Sequence, residues 1–95
     1  ESAGGDLPRS FMLGQNYPNP FNPSTTIQYA LGDRGRVRLK VFNLLGQEVA
    51  TLADGIQEAG LHSIRFSTVS LASGVYYYKL EYNGAVQTRR MLLLK

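Results

Sequence analysis

Few residues in this 95-residue chain carry reactive chemistry, and their spacing decides what they can do. There is one imidazole, His62, and no cysteine, so thiolate metal sites, disulfides and multi-histidine metal sites are all excluded. His62 alternates with Ile64 and Phe66, which on a strand places it on an apolar face, with no second catalytic partner evident. A packed histidine at the edge of a core is the expectation. Asp6, Asp33, Asp54 and Glu58 fall in a linker or in turns, where short carboxylates support the backbone rather than exchange protons with a substrate. No nucleophile–base pair, metal set or phosphate-cradling loop stands out, so a non-catalytic protein without a cofactor is expected.

What remains is chemistry of contact. Arg36, Arg38 and Lys40 alternate with Val37, Leu39 and Val41, which makes the charges one solvated face of a strand, at a sheet edge or on an outer sheet surface. A second basic group, Arg89-Arg90 and Lys95, lies in the terminal run TRRMLLLK. The net charge is only +3 and no aromatic stacking platform accompanies it, so nucleic acid is not an expected partner. An exposed Tyr77 is the one position suited to stacking on a sugar ring, though packing accounts for most of the tyrosines.

The elements that must position these residues are short strands. In YPNPFNPSTTI, residues 17–27, Pro18, Pro20 and Pro23 fix their own φ and remove backbone donors, which gives a stiff connector rather than a regular strand. Ile27, Tyr29 and Leu31 then alternate with small or polar neighbours. Strands are predicted over 25–31, 36–43, 47–52, 61–67, 75–82 and 85–94, with 11–13 as a possible first. Turn chemistry separates them at Gly32-Asp33-Arg34-Gly35, Leu45-Gly46, Asp54-Gly55, Ala59-Gly60 and Asn83-Gly84, the last a strong two-residue hairpin signal. No stretch has helical period. The fold expected is all-β, an immunoglobulin-like antiparallel β-sandwich of about seven strands. On 75–82, Tyr76, Tyr78, Leu80 and Tyr82 share the face predicted to enter the core. Tyr76 is the candidate for a tyrosine corner, a strand-start tyrosine bonded back to nearby backbone, with Tyr77 the alternative in a shifted register.

Size permits one core: a chain of this length buries roughly 60–65% of its unfolded surface. Residues 1–10, with Gly4-Gly5 and Pro8, read as a flexible linker ahead of a domain at 11–95. There is no apolar run long enough to insert in a membrane, and a secretory signal, if needed, is expected upstream in a parent protein.

Five ordered segments then carry a family resemblance: QNYPNPFNPSTTIQY (15–29), VFNLLGQEVATL (41–52), AGLHSIRF (59–66), LASGVYYYKL (71–80) and TRRMLLLK (88–95). Over nearly all of the chain after Met12 it resembles the type A C-terminal sorting domain of type IX secretion. The middle three segments are also similar to the immunoglobulin-like domain of flagellar hook-capping proteins. The resemblance implies a sorting and export signal, read by the type IX translocon at the outer membrane after passage through the periplasm. It also implies an upstream cargo domain in the same precursor, removal of the signal by processing proteins at or near 1–10, and cargo that is released or held at the cell surface. Carried over by position, the recognition residues are Gly74, Tyr76 and Tyr78, together with Thr88, Arg89, Arg90, Met91, Leu92, Leu93, Leu94 and Lys95; Pro18, Pro20, Phe21 and Pro23 match the proline-asparagine motif. Phe66 stands where many relatives have tryptophan, and Asn43 where many have aspartate. A terminal strand over 85–95 would offer its edge to the translocon by strand addition, with Met91 and Leu93 inward and Arg90, Leu92 and Leu94 reachable. The competing reading is an accessory immunoglobulin-like spacer, or a carbohydrate-binding module, on an extracellular hydrolase.

Overall fold

Among the described residues, alternation of apolar and polar residues becomes seven strands packed as two sheets. The computed structural model describes residues 11–67 and 70–95; the expected linker 1–10, with Asp6, lies outside the described residues. The strands are β1 (Phe11–Leu13), β2 (Ser24–Leu31), β3 (Gly35–Phe42), β4 (Glu48–Gln57), β5 (Gly60–Ser67), β6 (Gly74–Tyr82) and β7 (Ala85–Leu93). One sheet has the order β1-β2-β5 and the other β4-β3-β6-β7, with every pairing of neighbouring strands antiparallel. The predicted all-β sandwich is the architecture found.

The core lies between the sheets. Leu13, Ile27, Tyr29, Leu31 and Phe66 enter it from one side; Val37, Leu39, Val41, Tyr76, Tyr78, Leu80, Tyr82, Met91 and Leu93 enter from the other. Each of the larger aliphatic side chains contributes about 1.5–3 kcal/mol by leaving water, the main force holding a cysteine-free domain of this size together. Phe66 is buried and packs its ring 6.3 Å from that of Phe21.

One expectation needs correction. Asp54-Gly55 is not a turn: β4 runs straight through it for ten residues. Its register slips opposite Leu39/Lys40 and again opposite Val41/Phe42, and these irregularities break the period-2 pattern by which a strand is recognised. Gly55, at φ 150°, supplies a backbone conformation that residues with side chains rarely adopt. Of the two placements expected for the basic ladder of β3, the outer sheet face is the one found. β3 is an inner strand, so its charges cover an outer sheet face, where Arg36 meets Asp54 at 3.0 Å, Arg38 lies between Asp54 and Glu81, and Lys40 meets Glu48 at 3.2 Å. Exposed pairs of this kind contribute at most about 1 kcal/mol each, and their effect here is mainly to neutralise the charge locally.

The turns follow the sequence closely. Asn83 (φ 49°) and Gly84 (φ 84°) close the β6–β7 hairpin. Between β3 and β4 the Asn43 carboxamide oxygen accepts from the Leu45 and Gln47 amides at 3.0 and 2.9 Å. An asparagine thus supplies the acceptor that an aspartate would.

The pairings give the sandwich two ends. Phe11 enters opposite Leu31, at the end that carries the β2–β3 turn and the β6–β7 hairpin. The other end collects the start of β2 with the proline connector, the start of β6 at Gly74 opposite Leu93, the β3–β4 turn, and residues 94 and 95.

Candidate recognition surface

The glycine-tyrosine motif of β6 is built into the interior. Tyr76, Tyr78 and Tyr82 all face the core, and each hydroxyl donates to a main-chain carbonyl at 2.7 Å: Tyr76 to Ala72, Tyr78 to Gly14 and Tyr82 to Asp33. The Tyr76 bond, reaching four residues back, is the predicted tyrosine corner. Tyr78 also accepts the Asn16 amide at 2.7 Å. Burial pushes its phenol above the ordinary range, although the Asn16 amide and nearby Arg89 pull it back. Gly74 opens the strand at φ 154°, so its requirement is one of backbone conformation; an added Cβ would meet nothing within 4 Å.

The proline segment wraps the same end. Asn16 is buried, donating from Nδ2 to Thr25 Oγ1 at 3.0 Å and to the Pro18 carbonyl at 3.2 Å, while Thr25 Oγ1 donates to that carbonyl at 2.8 Å. This polar knot fixes the start of the connector. From there the chain turns onto β7. Leu92 N–H donates to Asn19 Oδ1 at 3.0 Å, Phe21 N–H donates to the Leu92 carbonyl at 3.0 Å, and Leu94 N–H donates to the Phe21 carbonyl at 3.1 Å. Gln15 Nε2 donates to the Arg90 carbonyl at 2.8 Å, and the Phe21 ring is buried. Pro18, Pro20 and Pro23 stay exposed on the rim.

β7 divides as its alternation requires. Met91 and Leu93 are buried; Arg90, Leu94 and Lys95 are exposed and Leu92 is half-buried. Thr88 and Arg89 are exposed midway along the strand, where Arg89 Nε donates to the Leu13 carbonyl, and Gln87 bonds the Leu13 amide and the Phe11 carbonyl. The expectation of a free terminal edge therefore fails over its last part. β7 is an edge strand, but from Arg90 to Leu94 its outer backbone groups are already occupied by Gln15, Asn19 and Phe21. Strand addition there would have to displace the domain's own proline segment.

His62 behaves as expected of a core-edge residue: half-buried, its ring stacks on Tyr29 at 5.3 Å and its Nε2 bonds the Glu58 carbonyl at 2.7 Å. Among the described residues no cluster of His, Asp and Glu is arranged to hold a metal ion.

Sequence reasoning missed Gln15, Asn16, Asn19, Thr25 and Gln87. Each is polar and bonds a segment that no local periodicity connects to it. The one signal in the sequence is the asparagine-proline alternation at 16–23, where an amide side chain beside a ring without N–H is well placed to serve another segment.

The profile of the secretion system C-terminal sorting domain matches residues 15–94, beginning at the glutamine that caps Arg90 and ending at the leucine that bonds Phe21. No curated protein sequence matches. Among solved structures, dimeric latent PorU from Porphyromonas gingivalis is similar at a TM-score of 0.73 and 18% identity. The match covers 95% of this chain and 10% of that one, and at this identity the likeness is one of fold. The family profile spans the polar knot, the glycine-tyrosine strand and the clamped terminal strand together, and the chain belongs to the family of secretion system C-terminal sorting domains.

Proposed function

We propose that the type IX machinery reads this domain at one end of the sandwich, on the composite surface made where 17–23 lies against 88–95. Family membership makes the domain a non-catalytic sorting signal for the type IX secretion system, carried on secreted or cell-surface cargo. The observation supporting a composite surface is the backbone exchange at Phe21, which donates to Leu92 and accepts from Leu94. In this reading Pro18, Pro20, Pro23, Arg90, Leu92, Leu94 and Lys95 supply contact, with Thr88 and Arg89 extending the surface along β7. Phe21, Met91, Leu93, Gly74, Tyr76 and Tyr78 hold those groups in place from within. In this reading cargo joins at the opposite end, ahead of Phe11, on the side where the processing proteins remove the signal.

The test is a fluorescent reporter directed to the periplasm of a bacterium with a working type IX system, with the chain fused to its C-terminus. Release or surface display of the fusion is expected, whereas Arg90→Ala/Leu94→Ala/Lys95→Ala should leave a folded fusion in the periplasm. Export of the triple variant at the parent level would overturn the composite surface.

A further inference from the structure

The outer face of the four-stranded sheet neutralises its own charges in a regular way: Arg36, Arg38, Lys40 and Lys79 each face a carboxylate. Arg90 departs from this. It projects from the same face, opposite Tyr77 in the β6–β7 register, and among the described residues its guanidinium meets no carboxylate and no hydrogen-bond acceptor. It stands at a groove of about 300 Å³ lined by Asn19, Pro20, Val75, Met91 and Leu92 as well as itself. Val75 and Leu92 are cross-strand partners that form an apolar floor, and Pro20 is the wall. That wall is held rigidly, because Asn19 Oδ1 accepts from Leu92 N–H and the next residue, Phe21, is hydrogen-bonded to Leu92 and Leu94.

We infer that this groove captures an extended segment of a protein partner in which an apolar side chain sits beside a carboxylate. The inference rests on the composite-surface reading and gives it a specific contact. The apolar side chain fills the space over Val75 and Leu92 against Pro20, and the carboxylate takes the open fork of Arg90 in bidentate fashion. The groove is small beside ligand clefts, which begin near this volume, so it suits one or two side chains rather than a whole ligand. Among the described residues no aromatic ring lines it, which disfavours a sugar, and no second cation lines it, a poor match to a lipid surface, which is held by several basic groups at once. A wall and floor already fixed by hydrogen bonds lower the ordering cost of capture. The larger depression beside the β6–β7 hairpin is lined by Arg36, Arg38 and Glu81, whose charges are already paired, and it lacks this open site.

The test uses the reporter fusion with a photo-reactive aromatic amino acid in place of Tyr77, which faces Arg90 across the β6–β7 pair but does not line the groove, either otherwise unaltered or carrying Arg90→Glu. A second variant, Arg34→Glu, makes the same charge change in the turn at the far end of the sandwich. Adducts from position 77 are expected on a secretion component, and mass spectrometry should map them to a segment with Asp or Glu next to apolar residues. Arg90→Glu should reduce both adduct and export by about tenfold, the effect of losing one close charge pair, and Arg34→Glu should leave them unchanged. Equal export and equal adduct for both charge reversals, with melting temperatures at the parent value, would overturn the groove while leaving the sorting reading intact. Failure of the unaltered fusion to leave the periplasm would overturn both.

Discussion

At the residue scale the informative side chains are polar groups placed inside the domain. Tyr78 satisfies the Gly14 carbonyl and the Asn16 amide with one hydroxyl, so Tyr78→Phe preserves packing but leaves both backbone groups unpaired. We predict a loss of roughly 1–3 kcal/mol, measured by denaturant unfolding. Burial raises the Tyr78 phenol in the folded state, and Tyr29 is raised for the same reason. A group raised on folding stabilises fully below its unfolded value, near pH 10, and loses that contribution as the pH climbs through the folded value. The melting temperature should therefore hold through neutral pH and fall above about pH 10, with a shallower alkaline fall in Tyr78→Phe. Glu48 is held below the usual carboxylate range by its bond from Thr51 and by Lys40, but it is exposed, so solvent screening should keep its acid limb small.

At the element scale, β6 and β7 are legible in the sequence because their buried faces repeat every second residue. The same alternation puts Met91 and Leu93 inward and Leu94 outward, as they stand in the fold. The bulged β4 is not legible, since two register slips move its apolar residues off one face, and the Asp54-Gly55 pair has the composition of a turn. Also hidden is the clamp on the β7 edge, because Asn19 and Phe21 reach it across about seventy residues of chain. The clamp has separable consequences. Asn19→Ala should cost no more than about 1.5 kcal/mol yet speed hydrogen exchange at the Leu92 amide, whereas Phe21→Ala, which empties a buried ring, should cost about 3–5 kcal/mol. Leu93→Asp buries a charge at a position with no exposure and should unfold the domain, so variants at that position cannot separate recognition from folding.

At the scale of the molecule, Phe11 packs on Tyr82 at one end of the sandwich and the proline segment is bonded to the last residues of β7 at the other, and the proposed reading assigns cargo to the first end and recognition to the second. In that reading the proline segment, the glycine-tyrosine strand and the terminal strand act on one surface or support it from inside. The most direct measurement compares two surface charges placed on β7 and just beyond it, in the reporter fusion: Leu94→Asp at the recognition end and Val86→Asp near the cargo end, at positions 50% and 53% exposed in the parent. With both variants melting at the parent temperature, Leu94→Asp should be retained in the periplasm and Val86→Asp exported. Equal export of the two would contradict recognition at one end.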